Sequence, residues 1–290
     1  MAMREGLPTY SYDNETHARG FFEALYQGLD DLDNKSNKVS PMLQLFSAGF
    51  NIPNPRKASR GGEDSYLVSS PTNSTIAVAD GVGGWESKGV NPRAFADEIL
   101  RKTYDFIKSG EKEPKNAISA SFPLLSEVGS ATICVGKLDS DGVFRVANIG
   151  DSGFMVIRNG EILIQSSEHQ HSFNYPYQLG IGQDGEPHGA DRPEDAEEYV
   201  LTLQKGDYVV MGTDGLFDNV WPQDILEYIN EERPHPKSLA KGLADIAYEE
   251  SQKKDNSVPF FHRAKMAKEP YGDYQGGKED DISVIVSYVD

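Results

Sequence analysis

Cys134 is the only cysteine among 290 residues, which excludes an internal disulfide and a cysteine-rich zinc site. No run of about 18 apolar residues occurs, so no transmembrane helix is expected. Basic charge is scarce. Lys and Arg number 28 against 46 Asp and Glu, a net charge of −18. A nucleic-acid partner needs a basic footprint, and this chain lacks one. The stretch Met1–Gly20 has no apolar segment and is too acidic for a signal or transit peptide. The lone cysteine and the missing span together point to an intracellular compartment. Disorder of the whole chain is excluded as well, because hydrophobic residues make up 38% and aromatics 10%, enough for a large core.

Several catalytic signatures are missing too. A cysteine phosphatase needs Cys-x5-Arg, but Ser140 stands at that offset from Cys134, and Cys134 lies in an apolar strand as a core residue would. No Asp-x-Asp-x-Thr nucleophile, Gly-x-Ser-x-Gly elbow or P-loop is present. The Asp-Ser-Asp-Gly at 139–142 opens like a calcium loop but lacks its closing Glu, and reads as a hairpin turn. Six histidines form no His-x3-His pair. The Glu-His-Gln-His at 168–171 reads as a polar loop, with the rim of a substrate site as the alternative.

What is present is a run of short β-rich segments from about residue 46 onward. They are Tyr66–Val68, Thr75–Ala79, Ala131–Leu138, Val143–Ile149, Gly153–Arg158, Glu161–Gln165, Tyr199–Leu203, Tyr208–Met211 and Ile282–Val289. Asp141-Gly142 and Asn159-Gly160 are strong hairpin turns, so the middle of the chain reads as an antiparallel meander. Asn91 caps a helix with Pro92 at its first position, and Phe95, Ile99, Phe106 and Ile107 form its apolar stripe. Asp97 with Arg101 and Glu98 with Lys102 add pairs four residues apart. A second helix spans 238–251, with weaker ones at 115–127 and 223–231; 166–198 and 253–279 read as long loops. Before residue 46, Phe21, Phe22, Leu25 and Leu29 suggest one amphipathic helix. The expected class is α+β, with a helical extension at 1–45 and the main domain at 46–290.

The chemistry gathers at strand ends. Asp80 closes an apolar strand and precedes Gly81; Asp151 and Asp214 sit the same way, each beside a glycine. Asp280 and Asp281 precede the last strand, and Glu63–Asp64 open an earlier one. Singly, each Asp-Gly is an ordinary turn. As a group, carboxylates with no Lys, Arg or His beside them repel, and need protons or a cation to coexist. Oxygen ligands suit Mg²⁺ or Mn²⁺ rather than zinc. Two such ions about 3.5–4 Å apart would suit displacement at phosphorus.

At this point the chain resembles the metal-dependent protein phosphatases of the 2C type. Gly-Glu-Asp-Ser-Tyr at 62–66, Ala-Asp-Gly-Val-Gly-Gly-Trp at 79–85, Gly-Ser-Ala-Thr at 129–132, Asn-Ile-Gly-Asp-Ser at 148–152, Gly-Thr-Asp-Gly-Leu-Phe-Asp at 212–218 and Glu-Asp-Asp-Ile-Ser-Val at 279–284 follow the family's order. Gly89–Pro92, Ser257–Phe260, Arg263-Ala264 and Gly276–Ser283 resemble a branch found in mitochondria of fungi and animals and in plants. The resemblance implies a four-layer α/β/β/α sandwich of two antiparallel sheets flanked by helices. It implies a serine/threonine protein phosphatase holding two Mg²⁺ or Mn²⁺ ions, with a hydroxide bridging them as nucleophile and phosphoproteins as substrates. Carried over, Asp80 bridges both ions, the Gly81 carbonyl binds one, and Asp214 and Asp280 bind the other. Asp280 is preferred to Asp281 because the first acid of that motif is the ligand. Glu63 and Asp64 hold the ions' waters, and Asp151 with Asp214 leaves room for a third, weaker ion. The compartment implied is the mitochondrial matrix, with no targeting segment visible in this chain.

Two departures from the family pattern stand out. Val82 replaces the His that often follows Asp-Gly, so no general acid is assigned. Ser59 replaces the Arg that often clamps phosphate, leaving Arg60, with Lys57 behind it, as the candidate. A pseudophosphatase that binds phosphoproteins without turnover is the alternative reading, and the presence of Asp80, Asp214 and Asp280 argues against it. A small-molecule phosphoesterase on the same site is a third.

Overall fold

Thr75–Asp80 and Gly153–Arg158 are buried at nearly every position, which suits strands covered on both faces. The computed structural model describes residues 42–232, 235–255, 257–267 and 271–290; the helix expected around Phe21–Leu29 lies outside them. In chain order the strands are β1 (Leu45–Ile52), β2 (Asp64–Val68), β3 (Thr75–Asp80), β4 (Gly129–Ala131), β5 (Ile133–Leu138), β6 (Val143–Ile149), β7 (Gly153–Arg158), β8 (Glu161–Gln165), β9 (Gln170–Ser172), β10 (Tyr175–Pro176), β11 (Leu179–Ile181), β12 (Glu197–Thr202), β13 (Tyr208–Gly212) and β14 (Ile282–Val289). The helices are α1 (Pro92–Lys108), α2 (Pro114–Ser121), the single turn α3 (Asp214–Phe217), α4 (Pro222–Glu232), α5 (Pro236–Ser251) and α6 (Pro259–Ala267).

Two five-stranded sheets form, ordered β1-β14-β13-β7-β8 and β12-β6-β5-β3-β2, with antiparallel pairing throughout. The period-two alternation of strand side chains builds the layers. Along β3, Ile76 and Val78 join the core between the sheets, while Ala77 and Ala79 face the core under α1 and α2. Along β7, Phe154 and Val156 face inward, while Met155 and Ile157 meet α4 and α5. The result is the expected helix–sheet–sheet–helix sandwich.

The structure also departs from the expectations in places. β1 had no counterpart among the expected strands. The run expected over Ala131–Leu138 breaks at Thr132, so that β4 pairs with β11 and β5 with β6. The two long loops carry structure: β9 to β11 in the first and α6 in the second. Asp97 pairs with Arg93 at 3.7 Å rather than with Arg101, whereas Glu98 does meet Lys102 at 3.2 Å.

Glu98 does more than brace its helix. It is buried and accepts from the Ser126 and Glu127 amides at 2.8 and 2.7 Å and from the Ser126 hydroxyl at 2.8 Å. Burial alone would raise its pKa, but these donors and Lys102 together hold it below the ordinary value. Glu98→Ala should therefore cost about 2–3 kcal/mol, the worth of bonds to a charged group plus orphaned amides. A depressed carboxylate contributes stability above its unfolded pKa and loses it as pH falls through the folded one. The urea midpoints of wild type and Glu98→Ala should thus differ most at neutral pH and converge in acid.

Candidate metal centre

Strand register brings the first two carboxylates together. β2 opens at Asp64 and β3 closes at Asp80, and the antiparallel pairing sets these residues directly opposite one another. Like charges in that position repel. Asp64 is 0% exposed. Its Oδ2 accepts from Thr213 Oγ1 at 2.8 Å, and its Oδ1 has no partner. Burial, then the charge of Asp281, pushes the Asp64 carboxyl well above the ordinary range. Burial, then Asp64, Asp214 and Asp280, does the same to Asp80. Among the described residues no basic side chain pairs with either.

The remaining acids arrive from the other sheet. Thr213 joins β13 to α3, and its backbone N–H donates to Ser283 O at 3.1 Å. This contact sets Asp214, the first residue of α3, beside the start of β14. The approach is close enough that a Cβ on Gly215 would lie 2.0 Å from the Asp281 carbonyl. Asp281 is a buried strut: it accepts from the Asn54 and Glu63 amides at 2.7 and 2.9 Å. Asp280 instead keeps 23% of its side chain exposed, and lines a cleft of about 510 Å³ with Asn54, Lys57, Arg60, Glu86 and Glu279. The two adjacent acids thus differ in exposure and in partners. Gly81 sits where a Cβ would come within 2.7 Å of Pro92 O and 2.8 Å of Glu63 O, so only glycine fits.

One expectation is corrected here. The acids were read as free of basic neighbours, but folding inserts two lysines. Lys57 Nζ lies 2.6 Å from Glu63, 3.2 Å from Asp280 and 3.2 Å from Asp281. Burial would lower its pKa, but Asp280, Glu63 and Asp281 hold it well above the usual value. Lys278 pairs with Asp214 and, at 2.6 Å, with Asp218. Arg60, the expected phosphate clamp, stays at the rim, 40% exposed and paired with Glu86; Lys57 reaches the carboxylates instead. From sequence, Lys57 ranks behind Arg60 as the clamp, and Lys278 and Asp218 lie inside the family motifs without an implied role.

Asp151 follows β6 and accepts from Gln170 at 3.2 Å; burial, then Asp214, raises its pKa to about 7. His171 bonds Asp191 at 2.8 Å, and His169 stacks on Tyr177 at 3.7 Å. The two histidine side chains are therefore engaged within their own segment, while Gln170 and Glu168 of the same loop reach Asp151 and the Arg263 that pairs with Asp218. Cys134 is fully buried and its thiol is pushed up by burial, which fits a core residue and no nucleophile.

No ready-made group of three or more metal-ligating side chains exists among the described residues. The donor chemistry nevertheless fits a divalent ion. Glu63 Oε1, Asp64 Oδ1 and Asp214 Oδ1 are buried without partners. Asp64 and Asp80 stand opposite each other, and among the described residues no basic side chain pairs with either. These are oxygen donors short of positive charge, which a hard ion supplies.

Comparisons with known proteins agree with this architecture. The family model for stage II sporulation protein E (SpoIIE) matches residues 70–290. A probable protein phosphatase 2C 1 of Oryza sativa subsp. japonica is 36% identical over 248 residues, covering 82% of this chain and 73% of its own length. A protein phosphatase PTC7 homolog fig of Drosophila grimshawi is 38% identical over 248 residues, covering 80% of each. Among solved structures, the photosystem II phosphatase PBCP superposes with a TM-score of 0.77 at 33% identity, covering 85% of this chain and 99% of its own. The catalytic domain of the phosphatase PstP, solved with 2 manganese ions, shares the fold at a TM-score of 0.61 and 17% identity, over 85% of this chain and 99% of that one. The chain belongs to the 2C-type, or PPM, family of protein phosphatases.

Proposed function

We propose that this chain hydrolyses phosphoserine and phosphothreonine in proteins, with Mg²⁺ or Mn²⁺ held by Asp80, the Gly81 carbonyl, Asp214 and Asp280, and with Glu63 and Asp64 supporting them. The protein serine/threonine phosphatase class follows from the family; the residue roles are inferred. The carrying observation is the Asp64–Asp80 juxtaposition together with three orphaned buried carboxylate oxygens. Bound ions of this kind supply Lewis-acid charge to phosphoryl oxygens and a more acidic water. The chain's own residues do the rest. Thr213 fixes Asp64, and Asp281 ties Asn54 and Glu63 to the start of β14. Val82 donates its N–H to Ser130 O at 2.9 Å and its side chain carries no proton to give. Val82 therefore cannot protonate the leaving alcohol, and that proton would come from a metal-bound water or another residue.

The matrix of the mitochondrion is the compartment we infer, supported by the PTC7-type relative and the branch-specific stretches at 257–260 and 276–283. Fractionation of cells carrying the full-length protein checks it, and accumulation outside mitochondria would count against it. Substrate class has its own test. Phosphoserine and phosphothreonine peptides should exceed phosphorylated metabolites in kcat/KM by at least about tenfold, roughly 1.4 kcal/mol of discrimination. Faster turnover of the metabolites would replace this reading with a small-molecule phosphoesterase.

A further inference from the structure

Asp218 is a buried acid whose two oxygens are both taken by cations of the C-terminal segment. Lys278 Nζ lies 2.6 Å from Oδ2, and Arg263 of α6 pairs with Oδ1. Lys278 also pairs with Asp214 through Oδ2 and stands 3.8 Å from Asp280. Its place is prepared. Asn219 clamps its backbone from both sides, accepting from its N–H at 2.9 Å and donating to its carbonyl at 2.9 Å. The ammonium lies 5.0 Å from the Phe260 ring centre. Arg263 is held on its far side by Glu168.

This geometry conflicts with a third ion between Asp151 and Asp214. A divalent ion bonds carboxylate oxygen at about 2.0–2.2 Å and must come closer than an ammonium does. Here the nearby oxygens are already spent: Asp218 on Lys278 and Arg263, Asp214 Oδ2 on Lys278, and Asp151 Oδ2 on Gln170. Among the fully buried oxygens of these three acids, Asp214 Oδ1 is without a partner, and it is the oxygen left for the ions proposed above.

We propose that Lys278 is the resident cation of the Asp151–Asp214–Asp218 side of the centre, excluding a third metal ion there and turning Asp214 Oδ1 toward the two-ion site. Lys278 is thus a positioning residue. The inference rests on Asp80, Asp214 and Asp280 being metal ligands. A fixed ammonium supplies its charge at any metal concentration, so this side of the centre is independent of free Mg²⁺ or Mn²⁺.

The test counts ions. Metal-free full-length protein is titrated with Mn²⁺, following heat by calorimetry and free Mn²⁺ by electron paramagnetic resonance. Wild type should bind two ions. Lys278→Met and Lys278→Gln should each gain a third, weaker one, and Lys278→Arg should stay at two. In chelator, Lys278→Met should melt several degrees below wild type, because Asp214 and Asp218 lose their cation. Excess Mn²⁺ should raise the melting temperature of Lys278→Met by more than it raises that of wild type, which would not happen if the lysine were only packed there. Three ions in wild type, or an unchanged count in both uncharged variants, would overturn the proposal. Binding of no ions by wild type would sink the metal reading itself, and this inference with it.

Discussion

Asp80→Asn should lower hydrolysis of an aryl phosphate by at least about 10²-fold, comparable to loss of a preorganised electrostatic element, and should at the same time stabilise the metal-free protein. The two effects have one cause. Asp80 stands opposite Asp64 across a strand pair, and no lysine, arginine or histidine among the described residues pairs with either. The amide keeps the shape and removes the charge. Without metal, the repulsion between the two acids disappears, a gain of about 1 kcal/mol by the usual worth of a cross-strand charge pair. With metal, the site has lost the acid best placed to hold cations together. Glu161→Gln is the control, because Glu161 is exposed at the start of β8 and outside every motif. Thermal melts in chelator and initial rates in Mn²⁺ give the two readouts. Equal rates for the two variants would show that the site has been placed wrongly. A metal-free Asp80→Asn that melts below wild type would show that the Asp64–Asp80 contact is not repulsive.

The pattern of turns and apolar runs was enough to read most of the sandwich, for reasons visible in the structure. Asn159 and Gly160 both adopt positive φ, 53° and 82°, as the tight hairpin between β7 and β8 requires. Thr75–Ala79 and Gly153–Arg158 are apolar on both faces because each sheet is covered twice. β1 escaped because its polar positions look like a loop. Ser47 and Asn51 are satisfied across the strand pair by Ser287 at 2.7 Å and Ser283 at 2.9 Å. Gly49 is small because the Tyr66 ring lies over it. Neither partnership can be read from residues 45–52 alone.

The candidate site divides in the same way. The carboxylates were legible because each ends a strand beside a glycine or opens one. The preference for Asp280 over Asp281 comes from motif order; in the structure Asp280 faces the cleft and Asp281 is buried on backbone amides. The lysines were not legible. Lys57 lies in a loop 223 residues before Asp280, and only closure of the two sheets brings them together. Lys278 was hidden by its neighbours, since a base inside Gly-Gly-Lys-Glu-Asp-Asp reads as charge balance on an acidic turn. Its reach back to Asp214 and Asp218 depends on Asn219, a residue with no catalytic character of its own.

Removing metal should abolish hydrolysis altogether, and Mn²⁺ or Mg²⁺ should restore it while Ca²⁺ should not. The argument starts from the lysines. In the metal-free chain Lys57 and Lys278 neutralise part of the acidic cluster, so the protein stays folded under chelation. They cannot replace the divalent ions, because an ammonium has no vacant coordination position to offer water or a phosphoryl oxygen, and its charge is half as large. Phosphate would then meet Asp64 and Asp80 directly, with like charge against like. Mn²⁺ and Mg²⁺ restore positive charge within a short-bonded shell of oxygens. Ca²⁺ prefers longer bonds and more ligands, which suits this set poorly because Thr213, Asn54 and the Glu63 amide hold its members in place. Binding should also register without catalysis. An ion at about 100 times its dissociation constant adds about 2.7 kcal/mol of stability, so the melting temperature should rise with Mn²⁺ in wild type and much less in Asp80→Asn. Full activity in excess chelator would remove the metals from the mechanism. A melting temperature that ignores Mn²⁺ while activity depends on it would move the ions from these carboxylates to the substrate.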